Sequence, residues 1–387
     1  MRSTLCLAIV QHGDNAMTIN ERTAVLSLVG SLALLSGCAT SVAPNPNASH
    51  SYHDELGEFR ELPRARLGAL PFKGPFTLYT AADVSNLGTH TYEAGPLEID
   101  NERERGIVYT RRGGFLDIAH VRNSADMTAY IHARALLAIE RGWEVFEFKG
   151  HEPSTYRVEL CYPEDWEQLD IETRHRYTNA LALRLAQRVA FDVMTWHEII
   201  TWHGYKSTIV IPESNSAFTY DDIPSHALGV QLAADALRTG RDFDLEMSRL
   251  LDEALSDLGA VEGDELDLAM NEVEGAWWDR LRGPERRLLD IGTDDGKIDP
   301  WVVNGHADEP RPYSLARMDD VEGRDFSGFY RVQIDPNVLE GFAIRSVIGE
   351  DREYIDPETD FPLLIEDIAD SLEVERVQDL PEHAARR

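Results

Sequence analysis

Positive charge is scarce in this chain. Against 69 aspartates and glutamates stand 37 lysines and arginines, a formal net charge of -32 at pH 7. Nucleic acid is therefore not an expected partner, because a polyanion is held by clustered basic side chains. The acidic excess is spread along the sequence, as in a solvated, self-repelling surface. Cysteine is also scarce: Cys6, Cys38 and Cys161 are the whole set. The GxSxG elbow, GxGxxG, GxxxxGK[ST], CxxC and HExxH are all missing, which removes the common hydrolase, dinucleotide, P-loop, redox and zincin devices.

What is present begins with an apolar run, Val25 to Leu35 (VLSLVGSLALL), ending at Leu35-Ser36-Gly37-Cys38. Eleven residues of helix rise about 16 Å, against roughly 30 Å for a bilayer core, so the run is too short to span and has the layout of a signal peptide. Leu-Ser-Gly-Cys resembles the bacterial lipobox, which implies diacylglycerol on the Cys38 thiol and cleavage before it. The run lies far from Met1, and Met17 is the expected start, with Arg22 in a short n-region. Ala39 after the lipidated position suggests the outer membrane, with the body facing the periplasm. Residues 1–37 are then the signal peptide and 38–65 the lipidated N-terminus and flexible tether, polar and proline-bearing. No internal disulfide is then possible for Cys161. Its strand-like setting, TYRVELCYP, suits a buried, inert thiol.

From 66 to 380 the pattern suggests a single α+β domain, mostly helical, with a small antiparallel sheet. PFTLYTA and RGIVYTR read as strands, and Gly113-Gly114 as the opening of a helix from Phe115 to Arg141. WEVFEFKG and TYRVELCYP alternate around a turn-rich HEPS, a hairpin. The longest helical pattern, from Ile171 to His203, carries Leu181, Leu185, Val189, Val193, His197 and Ile200 on one stripe, which would bury His197. Further helices are expected at 224–239, 243–259, 264–282 and 362–372, with a strand near Tyr330 to Ile334.

Three stretches carry chemistry-bearing residues. In GFLDIAHVR, Asp117 and His120 share a helix face three residues apart and form a ligand pair or an acid/base couple. In HEIITWH, His197 and Glu198 begin like a zincin motif, but Thr201 holds the second histidine's place. His203 is turned about 600° from His197 and cannot replace it on a straight helix. In ESNSAFTYDDIPSH, Thr219 with Asp222 fits a capping arrangement and Ser225 suits a cap, whereas Glu213 is free to face the same cleft as His197.

Together GFLDIAHVR, HEIITWHGY, SAFTYDDIPSH, Ala276 to Asp279 (AWWD) and Asp299-Pro300-Trp301 resemble bacterial domain-of-unknown-function family 4056 over about residues 66 to 305. That resemblance implies a lipoprotein and no particular activity, and it leaves His203 and His226 out of the ligand set. Two functions stay open. One is a metal-dependent hydrolase of envelope material, with His120, His197 and Asp117 or Glu213 binding zinc or another divalent metal and Glu198 as general base. The other is a non-catalytic structural or binding lipoprotein, reaching the membrane only through its lipid, whose His/Glu motifs form a buried polar network.

Overall fold

A computed structural model of the chain describes residues 54–74, 80–95, 97, 102–204, 215–336 and 338–378. Cys38, Met17 and the signal segment lie outside them, as does Glu213. The described chain is α+β and mostly helical, with small antiparallel sheets.

Strands β1 (Ile107–Thr110) and β2 (Gly114–Asp117) form a hairpin closed by the Thr110 hydroxyl, which donates to Gly114 O and accepts from Gly113 N. Every residue of both strands is buried. Val108 and Leu116 face the main core, while Ile107, Tyr109 and Phe115 face a second apolar cluster with Phe72, Tyr220, Met270 and Trp278. The long helix expected from Phe115 therefore starts later. GFLD pairs as β2, and α1 (Ile118–Glu140) begins where Asp117 accepts a hydrogen bond from Ala119 N at 2.7 Å and so caps it.

Helix α1 lies between α2 (Ile171–Trp202) and α3 (Asp222–Thr239), and α4 (Phe243–Leu258) packs on α3. Gly229 of α3 sets the closeness of one crossing: a Cβ there would stand 2.3 Å from Val121 O of α1. No side chain fits at that approach.

The expected hairpin is β3 (Val145–Lys149) with β4 (Thr155–Leu160), and β9 (Tyr330–Asp335) joins it to give the antiparallel order β3-β4-β9. Alternate residues Phe146, Phe148, Tyr156, Val158 and Leu160 face the core, as the period of two requires. Cys161, just beyond β4, is only half-buried. Two-residue ladders β5 (Trp278–Asp279) with β6 (Gly283–Pro284), and β7 (Lys297–Ile298) with β8 (Tyr313–Ser314), brace the loops after α5 (Asp264–Glu272). Helix α5 is shorter than the expected 264–282 because Trp278 leaves the helical path and is buried in the second cluster. Helices α6 (Val338–Ile348) and α7 (Pro357–Gln378) complete the body.

Residues 54–65, expected in the tether, pack on this body. Leu56 is buried, and the Phe59 ring meets Tyr92 and Phe243 edge-on at 5.0 and 5.4 Å. The segment is then locked by a buried ion network. Arg66, 3% exposed, donates to Glu104 Oε2 at 2.7 Å, Asp126 Oδ2 at 2.6 Å and Thr91 O at 2.6 Å. Its backbone exchanges two hydrogen bonds with the Asn123 amide, both 2.8 Å. The guanidinium outweighs the burial of Asp126 and holds that carboxyl below its usual range. This fixes residues 66–69 across the first turns of α1.

Candidate metal centre

Asp117, His120 and Asp221 each offer a ligand atom, and these atoms all lie within 4.8 Å of one another. The hairpin and the helix start supply the first two, three residues apart. Asp221 comes from the turn leading into α3, brought over by the α1–α3 packing. Asp117 and Asp221 are fully buried, and the His120 side chain is 17% exposed.

Their hydrogen bonds are unevenly filled. Asp117 Oδ2 accepts from Ala69 N at 2.6 Å, and Asp117 N donates to Ser225 Oγ at 2.9 Å. Asp221 Oδ1 accepts from the Thr219 hydroxyl at 2.7 Å. Asp221 Oδ2 and His120 Nδ1 are buried, and among the described residues neither has a hydrogen-bond partner. Nδ1 stands 3.1 Å from Asp222 Oδ1 and 3.9 Å from Asp117 Oδ2, close to both carboxylates without the alignment of a hydrogen bond. Asp222 is held by Thr219, whose N–H donates to Oδ2 at 2.6 Å, the capping geometry anticipated for that pair, while the single hydroxyl hydrogen is shared between Asp221 and Asp222 Oδ2 at 3.0 Å. Ser225 does not cap: it lies inside α3 and donates to Asp221 O.

Three carboxylates around one imidazole leave an excess of negative charge in a buried place. Burial pushes the Asp117, Asp221 and Asp222 carboxyls above their usual range, and repulsion among them and from Glu198 adds to it. His120 is pushed well above the usual histidine value, since Asp117, Asp222 and Glu198 outweigh the effect of its own burial. In the metal-free chain the His120 proton is thus the cation of the cluster.

Glu198 sits beside it on α2. Its Oε2 accepts from Phe218 N at 3.0 Å, and Oε1 lies 3.3 Å from Nε2 of His226. Phe218 adopts a left-handed backbone, φ 55°, which a residue with a Cβ holds only at a cost of order 1–3 kcal/mol. His226 is fully buried, its ring 5.1 Å from that of His120, with Nδ1 3.1 Å from Ser124 Oγ. Burial, then the nearby His120 charge, keeps His226 neutral, and the tautomer with its proton on Nε2 suits the Glu198 carboxylate.

His197 departs from expectation. In the second half of α2 the neighbouring positions are buried on all sides, and His197 is the half-exposed one, 30% at the side chain. Its Nδ1 is 2.7 Å from Glu152 Oε1, a carboxylate from the β3–β4 turn, so the imidazole is taken by that partner. His197 is not part of the converging Asp117, His120 and Asp221 group. Burial opposes its charge, but Glu152 and then Glu198 outweigh this and push the pKa up to about 9. The folded value lies above the unfolded value of about 6.5, so this pairing stabilises the fold fully below pH ~6.5 and is lost as pH rises through about 9. Urea unfolding at a series of pH values should show a steeper alkaline loss for the native chain than for His197→Ala. Parallel curves would remove that role.

A family model described as Protein of unknown function (DUF4056) matches residues 59–290. The chain belongs to that family. The DUF4056 region holds all three converging residues together with Glu198, His226 and the Arg66 network. No curated protein and no solved structure matches the chain. Among the described residues, no helix is long and apolar enough to cross a membrane.

Gly68 within this region shows how tightly the cluster is covered. A Cβ on it would lie 2.5 Å from His120 Nε2 and 2.8 Å from Asp117 Oδ2. Gly68→Ala is expected to cost about 1–3 kcal/mol of stability by overpacking and to displace the imidazole. Chemical denaturation measures the first effect and manganese titration the second; an unchanged variant in both assays would mean the 66–69 segment yields freely.

Proposed function

We propose that this chain is a metal-dependent hydrolase of the cell envelope, carried as an outer-membrane lipoprotein by a lipid on Cys38. The observation that carries the metal reading is the convergence of Asp117, His120 and Asp221, two of which hold a buried atom, His120 Nδ1 and Asp221 Oδ2, with no hydrogen-bond partner among the described residues. Buried polar atoms without partners are costly, and a cation between them would satisfy both. One imidazole with two carboxylates suits zinc, manganese or iron(II).

Three protein ligands leave coordination positions for water and substrate, which is the arrangement of a catalytic site. A bound divalent ion would supply Lewis acidity there. Asp222, whose Oδ1 lies 3.1 Å from His120 Nδ1, is placed to offer a further carboxylate oxygen to the ion, and Glu198 would accept the proton from the attacking water. His226 and Phe218 N hold Glu198 in place. The envelope assignment rests on the lipobox-like Leu35-Ser36-Gly37-Cys38.

The test of the hydrolytic reading is Glu198→Gln assayed against muropeptide, peptide and ester panels with metal supplied. Retained metal with turnover lowered about 10²–10⁴-fold is the expected result. Full activity in the variant would remove Glu198 from the chemistry. A second reading is favoured by Asp117, both of whose oxygens accept backbone N–H groups and so hold the helix start and the covering segment. On that reading the cluster is a structural network in a non-catalytic lipoprotein, and variants change stability with no metal to lose.

A further inference from the structure

The converging group is assembled from two elements far apart in sequence, and one hydroxyl joins them. Ser225 is fully buried near the start of α3. Its Oγ accepts from Asp117 N at 2.9 Å and donates to Asp221 O at 2.6 Å. Asp117 ends β2, and Asp221 stands in the turn before α3. The path from one ligand-bearing residue to the other therefore runs from backbone amide to hydroxyl to backbone carbonyl.

Helix α3 does not need this hydroxyl for its own hydrogen bonding. Asp221 O already accepts the helical bond from Ser225 N at 3.0 Å. A serine that bonds back to the carbonyl four residues before it adds little to a helix. Here that bond directs the hydroxyl hydrogen to Asp221 and leaves a lone pair for the Asp117 amide. Gly229, four residues on and so on the same face, keeps this stripe of α3 tight against α1. A Cβ at Gly229 would stand 2.7 Å from Ser124 Cβ in addition to its clash with Val121 O.

The geometry gives the bridge a use at the metal centre. Asp117 and His120 are three residues apart at one helix start, so their spacing is set locally. Asp221 belongs to another element, and its distance from them has to be fixed by tertiary contacts. Thr219, which holds the Asp221 carboxylate, comes from the same turn and moves with it. Ligands held in place before the ion arrives bind it more tightly, and the groups behind them supply that hold.

We propose that Ser225 is a positioning residue of the metal centre, setting the separation of Asp221 from Asp117 and His120. This rests on the metal reading above. The test is titration of the full chain with cobalt(II), whose visible absorption bands report ligand geometry, and with manganese. The native chain should take up one cobalt. Ser225→Ala removes no ligand atom and adds no bulk, and it should bind both ions about 10–100-fold more weakly with altered cobalt bands. Thr128→Ala is the control: Thr128 is also fully buried, and its hydroxyl donates to Ser124 O at 2.7 Å, within α1. This variant should keep the native affinity and bands, and urea denaturation of both checks that each is folded. Native affinity and bands in Ser225→Ala, or an equal loss in Thr128→Ala, would overturn the proposal. A native chain that takes up no cobalt or manganese would remove the metal reading itself, and the proposal with it.

Discussion

Asp221→Asn is expected to raise the stability of the metal-free chain while lowering its affinity for zinc or manganese about a hundredfold or more. The two effects have one cause. Asp221 is fully buried beside Asp222 and Asp117, and its carboxyl is pushed well above the usual range by burial and those neighbours. A carboxylate whose folded pKa exceeds its unfolded value costs stability at neutral pH, and the neutral amide of the same shape removes that cost. Metal binding loses a charged ligand atom in the same step. Loss of a mere supporting contact at a metal site costs roughly 10–100-fold, so loss of a ligand should reach or exceed the upper end. His120→Ala should weaken binding similarly but shift stability the other way, because it removes the cation that balances three buried acids. Denaturation and calorimetry on the two variants, with and without metal, read all four quantities. Destabilisation by both, with unchanged ion binding, would favour the structural network.

Arg66→Ala should cost about 3–5 kcal/mol of folding stability, the range for breaking a buried ion pair from one side. Asp126 is fully buried and Glu104 nearly so, and Arg66 is the residue that contacts both carboxylates at hydrogen-bond distance. His90 remains on Asp126 Oδ1 at 2.8 Å, and Arg64 on Glu104 at 2.8 Å, so the loss is large without being total. Because Arg66 also anchors the segment that carries Gly68 and Ala69, the variant should loosen the cover over His120. A second change, Asp126→Asn, made with Arg66→Met should recover part of the stability, since the uncompensated charge is then gone. A loss below about 1 kcal/mol in Arg66→Ala would mean that water or Arg122 replaces the guanidinium.

The parts of the fold legible in the sequence are those fixed by local periodicity. Helices α1, α2 and α4 follow three- and four-residue spacing, and β3 with β4 follows strict alternation. The start of α1 misleads because both faces of the β1–β2 hairpin are buried, Asp117 included, so no alternation marks β2. The Asp117–His120 pair is visible for a related reason, since spacing of three survives the helix boundary. Asp221 needs tertiary information. Its neighbours Thr219 and Asp222 form a local capping arrangement that explains the polarity of the stretch, and only the approach of α3 to α1 gives Asp221 another role. His197 attracts attention through the His-Glu pair, but Glu152 reaches it from 45 residues away. Arg66 and Asp126 are 60 residues apart, and no local pattern links them.

The most direct test of the account is elemental analysis and calorimetric titration of the purified native chain with zinc, manganese and iron(II), repeated on Asp221→Asn. The account predicts one ion per native chain at saturation and much weaker binding by the folded variant. A native chain that carries none of these ions and takes up none, or a variant that binds as tightly as the native chain, would contradict it.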